Sequence, residues 1–151
     1  MEVTMEFRKI ILSLFFLIPA GTVFLFSQEN GFTVEGRINF KGNGEIHVCL
    51  VDEESFGPEA DANQKLVYSP TAEEKEYGET VFRFENIKPG IYGIKGFLDV
   101  NGNGILDKGL FGPSEPWGMS WNGKKSKGPP DFRDIEFTVD SNIRNIDIVL
   151  K

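Results

Sequence analysis

The sequence predicts an all-β protein: an antiparallel β-sandwich of about seven short strands with one long ordered loop, transthyretin-like (prealbumin-like) or immunoglobulin-like. Three observations carry this. Apolar and polar residues alternate at period two in segments separated by Gly, Pro and Asn. No stretch after the N-terminal segment holds a long 3.6-residue apolar period. The composition includes 17 Gly and 14 Phe in 151 residues, a balance suited to strands joined by tight turns. With 40% hydrophobic residues, a chain of this length forms one domain with a real core.

The N-terminal segment stands apart. Arg8-Lys9 precede an uncharged apolar run that ends at Phe26. A basic start followed by an apolar run describes a secretory signal peptide. Ser27 is the small residue before the expected cleavage, so residues 1–27 are read as the signal and 28–151 as the sandwich domain. Leu25 departs from the small-x-small rule, which leaves an uncleaved anchor as the alternative. The run is shorter than the ~20 residues of a spanning helix, and Pro19-Ala20-Gly21 interrupts it, so cleavage is favoured. The expected location is periplasmic, cell-surface or extracellular, with membrane contact only through a retained anchor. Cys49 is the one cysteine, so no internal disulfide forms.

The strands follow in order. Phe32, Val34, Ile38 and Phe40 alternate with polar residues, and Gly36 breaks the apolar face in the manner of a bulge. Lys41-Gly-Asn-Gly44 reads as a hairpin turn into Glu45–Asp52, where Ile46, Val48 and Leu50 share a face. Residues 53–80 begin with an acidic loop (Glu53, Glu54, Glu59, Asp61), then Lys65–Tyr68 as a short edge strand. Thr71-Ala-Glu-Glu74 has the spacing of a capping box that starts one helical turn. Val81–Ile87 and Ile91–Leu98 are strands flanking the turn Lys88-Pro-Gly90. Ile135–Val139 and Ile146–Leu150 close the chain, with Ile135, Phe137 and Val139, then Ile146, Ile148 and Leu150, facing inward.

The most informative stretch is Asp99-Val-Asn-Gly-Asn-Gly-Ile-Leu-Asp107. Counted from Asp99, oxygen-bearing side chains fall at positions 1, 3, 5 and 9 (Asp99, Asn101, Asn103, Asp107). Gly104 stands where an EF-hand loop turns sharply, and Ile105 where it offers a backbone carbonyl. Position 12 is Leu110, without the bidentate Glu, and a strand precedes the loop. The reading is a calcium loop on a β-scaffold, not an EF-hand, with Glu115 or water supplying the missing ligand. Two or three carboxylates suggest weak affinity, ~10⁻⁴ to 10⁻³ M. The plainer alternative is two Asn-Gly turns in tandem.

Phe111, Trp117, Trp121 and Phe132 lie in the following Gly- and Pro-rich stretch. They are either a sugar-stacking surface or, as favoured here, a small core that pins a long loop over the cation site. Lys124, Lys125 and Lys127 read as a solvated patch on an acidic chain. His47 and Cys49 share a strand face, but neighbours on one face stand about 6.5–7 Å apart by strand rise, too far for a thiol–imidazole hydrogen bond. The formal net charge of -7 argues against nucleic acid as a partner.

The run from Tyr92 to Phe132 resembles the bacterial secreted domain of unknown function 2141. The matching segments are Phe84-Glu-Asn-Ile-Lys-Pro-Gly-Ile-Tyr92, Asp99–Asp107, Phe111-Gly-Pro-Ser-Glu115, Gly118-Met-Ser-Trp-Asn122 and Pro129-Pro-Asp-Phe132. Leu98 stands where the family often has His, Met119 replaces the usual Phe, and Trp121 interrupts a Ser-Asn pair. The resemblance implies a periplasmic or extracellular sandwich and strengthens the expectation of a metal loop. It supplies no reaction.

The functional expectation is a non-catalytic, calcium-stabilised module of the cell envelope, with an envelope protein or polysaccharide as partner. The alternatives are a carbohydrate-binding module using Trp117 and Trp121, and, ranked last, a hydrolase using Asp99, Asp107 and Glu115.

Overall fold

The computed structural model describes residues 31–57, 62–123 and 129–151. The expected signal segment lies outside these residues, as do Glu59, Asp61 and the lysines at 124, 125 and 127. In chain order the elements are β1 (Phe32–Asn39), β2 (Glu45–Val51), β3 (Gln64–Tyr68), α1 (Ala72–Tyr77), β4 (Glu79–Ile87), β5 (Gly90–Asp99), β6 (Lys108–Gly109), β7 (Gly112–Pro113), β8 (Trp117–Met119), a 3-10 turn (Phe132–Asp134), β9 (Phe137–Val139) and β10 (Ile143–Val149).

Two main sheets form. One has the order β10-β1-β4 and the other β3-β2-β5-β8, with β9 also pairing β5. The core lies between them. Val34 and Ile38 of β1, Phe82 and Phe84 of β4 and Ile148 of β10 meet Ile46, Val48 and Leu50 of β2 and Ile94 and Leu98 of β5, all buried. The alternation read from the sequence therefore identifies the inward face of β1, β2 and β10, but it misplaces Ile135, which packs outside this core. Burying these side chains supplies the main driving force for folding.

Pairing differs from the expectation in two ways. Lys41–Gly44 does not close a hairpin: β1 and β2 belong to different sheets, and the turn carries the chain across the sandwich. The turn before β5 likewise passes from one sheet to the other. Nor is every ladder antiparallel, because β10 runs parallel to β1, with Ile38 opposite Ile148. Gly36 marks the expected irregularity: the register shifts between Val34 and Gly36, and a Cβ on Gly36 would lie 2.1 Å from the Ile146 carbonyl oxygen.

The capping box at α1 forms as predicted. Glu74 N–H donates to Thr71 Oγ1 at 3.2 Å, and Thr71 N–H donates back to Glu74 Oε2 at 2.8 Å. Gly78, in the left-handed region, ends the helix.

The outer face of the β2–β5 ladder is covered as well. Val51, Phe132 and Ile135 form a second buried cluster, with Cys49, Phe56, Ala62 and Met119 packed on it. Ile135 is therefore not the first residue of a strand. It ends the 3-10 turn, and β9 starts at Phe137.

Candidate metal centre

Asp99 ends β5 and is almost fully buried, at 1% exposure. Its Oδ1 accepts the N–H groups of Gly102 at 2.7 Å and Asn103 at 3.3 Å, and its Oδ2 accepts that of Gly104 at 2.7 Å. Gly102 and Gly104 sit at φ of 77° and 79°, a conformation that costs glycine little and lets successive N–H groups turn onto one carboxylate. Burial pushes the Asp99 carboxyl up. The N–H groups of Gly104, Gly102 and Asn103, helped by His47, outweigh it and hold the group below the usual carboxylate range.

The loop amides complete the turn. Asn101 Oδ1 accepts Asn103 N–H at 3.0 Å, and Asn103 Oδ1 accepts Ile105 N–H at 2.9 Å. Their Nδ2 groups both donate to Asp107, with Asn103 at 3.1 Å from Oδ2. Asn101, Asn103 and Asp107 thus meet side chain to side chain beside Asp99. A hard cation needs oxygens, so to bind here it would require both amides to turn and face Asp107 with Oδ1. The donor types fit calcium after that rotation. Ile105 takes part through its N–H, and its side chain is exposed.

Glu115 holds the loop through hydrogen bonds to its backbone. Buried at 7% exposure, it accepts Val100 N–H on Oε1 at 2.8 Å and Asp107 N–H on Oε2 at 3.2 Å. It clamps both ends of the loop. The small β6–β7 hairpin brings it there, helped by Ser114 N–H donating to the Asp107 carbonyl at 2.9 Å.

The four aromatics do not form one cluster. Phe111 is 99% exposed at the hairpin tip beside exposed Leu110. Trp117 and Trp121 pack edge-to-face, with ring centres 6.2 Å apart. Phe132 is buried and meets Phe56 edge-on at 5.8 Å. Phe132 therefore pins the covering segment to the sheet, whereas Phe111 does not join it.

A family model described as an uncharacterized protein conserved in bacteria (DUF2141) matches residues 33–147. The chain belongs to this family. The matched span of the DUF2141 domain runs from β1 into β10 and takes in the loop, Glu115 and the covering segment. No curated protein and no solved structure matches the chain.

Within this DUF2141 fold, sequence reasoning missed one constellation. Glu45, His47 and Asp99 bring a carboxylate, an imidazole and a second carboxylate to one place, with one donor atom from each all within 4.8 Å of one another. The β2–β5 register sets Glu45 opposite Asp99, and Glu45 and His47, two apart on β2, share a face. His47 is 4% exposed and stacks on Phe97, with ring centres 4.6 Å apart. Its Nε2 lies 3.6 Å from Asp99 Oδ2, and neither ring nitrogen has a hydrogen-bond partner among the described residues. Burial, and then the Lys65 charge, push the imidazole below its ordinary value against the opposing pull of Asp99, Glu45 and Glu115. The sequence held half of the signal, Glu45-x-His47. The other half is a strand register, which no local pattern reveals.

Proposed function

We propose that the chain is a non-catalytic β-sandwich module of the cell envelope whose Asp99–Asp107 loop takes a calcium-class cation. The observation that carries this reading is the meeting of Asn101 and Asn103 at the Asp107 carboxylate, with Asp99 anchoring the base of the same loop. Four of the oxygen-bearing side chains spaced as in a calcium loop are thereby gathered around one turn. The N-terminal apolar run supports export, and a single cysteine, which can form no internal disulfide, leaves a cation as the available staple.

A hydrolytic role has less support. The Asp99 and Glu115 carboxylates are buried, at 1% and 7% exposure, and face backbone N–H groups rather than a cleft wide enough for a sugar chain among the described residues. Two shallow hollows, one beside Phe40 and Tyr77 and the other beside Ile91 and Phe137, do not border them. A sugar-stacking role has less support too, because Trp117 and Trp121 turn edges to each other instead of forming a flat platform.

The test is thermal unfolding of the full chain in EDTA and in millimolar calcium, beside Asp107→Asn. A rise in Tm with calcium that Asp107→Asn abolishes is the expected result. No rise in the parent protein overturns the reading.

A further inference from the structure

Glu45, His47 and Asp99 form a second donor group, which shares Asp99 with the loop, adds an imidazole to it and goes beyond the calcium reading. We propose that Glu45, His47 and Asp99 bind a divalent first-row transition cation of the zinc class. Imidazole with carboxylates is a donor set for such ions, whereas the all-oxygen loop suits calcium.

The decisive observation is His47. A buried imidazole ordinarily finds a hydrogen bond for each ring nitrogen. Here both lack one among the described residues, and Nε2 faces Asp99 Oδ2 at 3.6 Å. Two ligands at zinc bond lengths stand at most about 4 Å apart, so this pair already spans one ion. The largest donor separation in the group is within 4.8 Å, and Glu45 is exposed, so rotation of its side chain closes the difference.

Among the described residues Glu45 accepts one hydrogen bond, from the Ser69 hydroxyl to its Oε1 at 3.2 Å. Asp99 Oδ2 already accepts Gly104 N–H at 2.7 Å, but a carboxylate oxygen has lone pairs for a hydrogen bond and a metal bond together. Three protein donors open to solvent at Glu45 leave a coordination position for water. The ion would tie β2, β5 and the first residue of the loop together, with Asp99 contributing to both sites.

The chain has a single histidine, so its imidazole signals need no assignment by mutation. The experiment is titration of the full chain with zinc alone, read by ring nitrogen NMR and by competition with a chromophoric chelator. One equivalent of zinc should shift the His47 Nε2 resonance. Glu45→Gln, an exposed change that does not threaten folding, and His47→Asn should each weaken binding at least tenfold. Asp107→Asn, which removes the calcium reading's ligand, should leave zinc affinity within about threefold. An unmoved imidazole, or zinc binding insensitive to Glu45→Gln, overturns the proposal. Loss of zinc binding in Asp107→Asn alone places the ion in the loop and overturns it equally. Calcium shifting Tm while zinc does nothing sinks this site and leaves the loop reading standing.

Discussion

Ser120 Oγ donates to the Ile135 carbonyl at 2.8 Å while accepting Ile94 N–H at 2.9 Å. One buried hydroxyl thus joins β5 to the segment that covers its outer face. Ser120→Ala leaves a buried N–H and a buried C=O without their partner, a loss of about 1–3 kcal/mol. Urea unfolding should show a lower midpoint at unchanged slope. A change below about 0.5 kcal/mol, the level of an ordinary surface substitution, would mean that water replaces the hydroxyl without cost.

Glu115 makes a comparable connection at the candidate site. Its two oxygens hold Val100 and Asp107 N–H groups at opposite ends of the loop. Glu115→Gln exchanges one acceptor oxygen for an NH₂ facing an N–H, so about 1–3 kcal/mol should be lost. Hydrogen exchange at Val100 and Asp107 should accelerate together, because one side chain protects both. Acceleration at only one of them would show that the clamp is not shared.

The acid limb of stability should report on Asp52. The Asn63 side chain, followed by the Ser55 hydroxyl and N–H, holds its carboxyl below the ordinary value of 3.8. The hydrogen bonds are Ser55 Oγ–H to Oδ1 at 2.7 Å and Asn63 Nδ2–H to Oδ2 at 2.7 Å. The folded value lies below the unfolded one. This contribution is therefore fully present above the unfolded value and disappears as the pH falls through the folded value. Asp52→Asn should be less stable than the parent at pH 6, with the gap narrowing as the pH falls towards 2. Parallel stability curves for the two proteins between those limits would refute this role.

Local chemistry was legible in the sequence, and pairing was not. Thr71-x-x-Glu74 and the Asp99–Asp107 spacing describe contacts within a few residues, and both form as hydrogen-bonded turns. The alternation of Phe82 and Phe84, or of Ile46, Val48 and Leu50, reveals an inward face. It does not reveal the partner strand, because period two reads the same in a hairpin and in a strand that crosses to the opposite sheet. Hence Lys41–Gly44 read as a hairpin, β10 was not recognised as parallel, and the Glu45–Asp99 pairing that gathers His47 stayed hidden. Phe111 was misread for another reason: an aromatic in a Gly/Pro-rich stretch carries no periodic signal to say whether it faces in or out.

The parallel β1–β10 ladder supplies the last prediction. Gly36 sits at the register shift, and an added Cβ would meet the Ile146 carbonyl oxygen at 2.1 Å and Phe82 Cζ at 2.7 Å. The first neighbour is backbone, so relief requires β10 to move away from β1. Gly36→Ala should therefore cost about 1–3 kcal/mol despite the lower entropy of the unfolded chain. Gly109→Ala is the control: its nearest neighbours would be 3.7 and 3.8 Å away, ordinary contact, and it should be neutral or stabilising by about 0.4–1 kcal/mol. Amide exchange should rise along Ile143–Val149 in Gly36→Ala alone. If the two variants proved equally stable, β10 would not be held against β1 as closely as the Gly36–Ile146 approach requires.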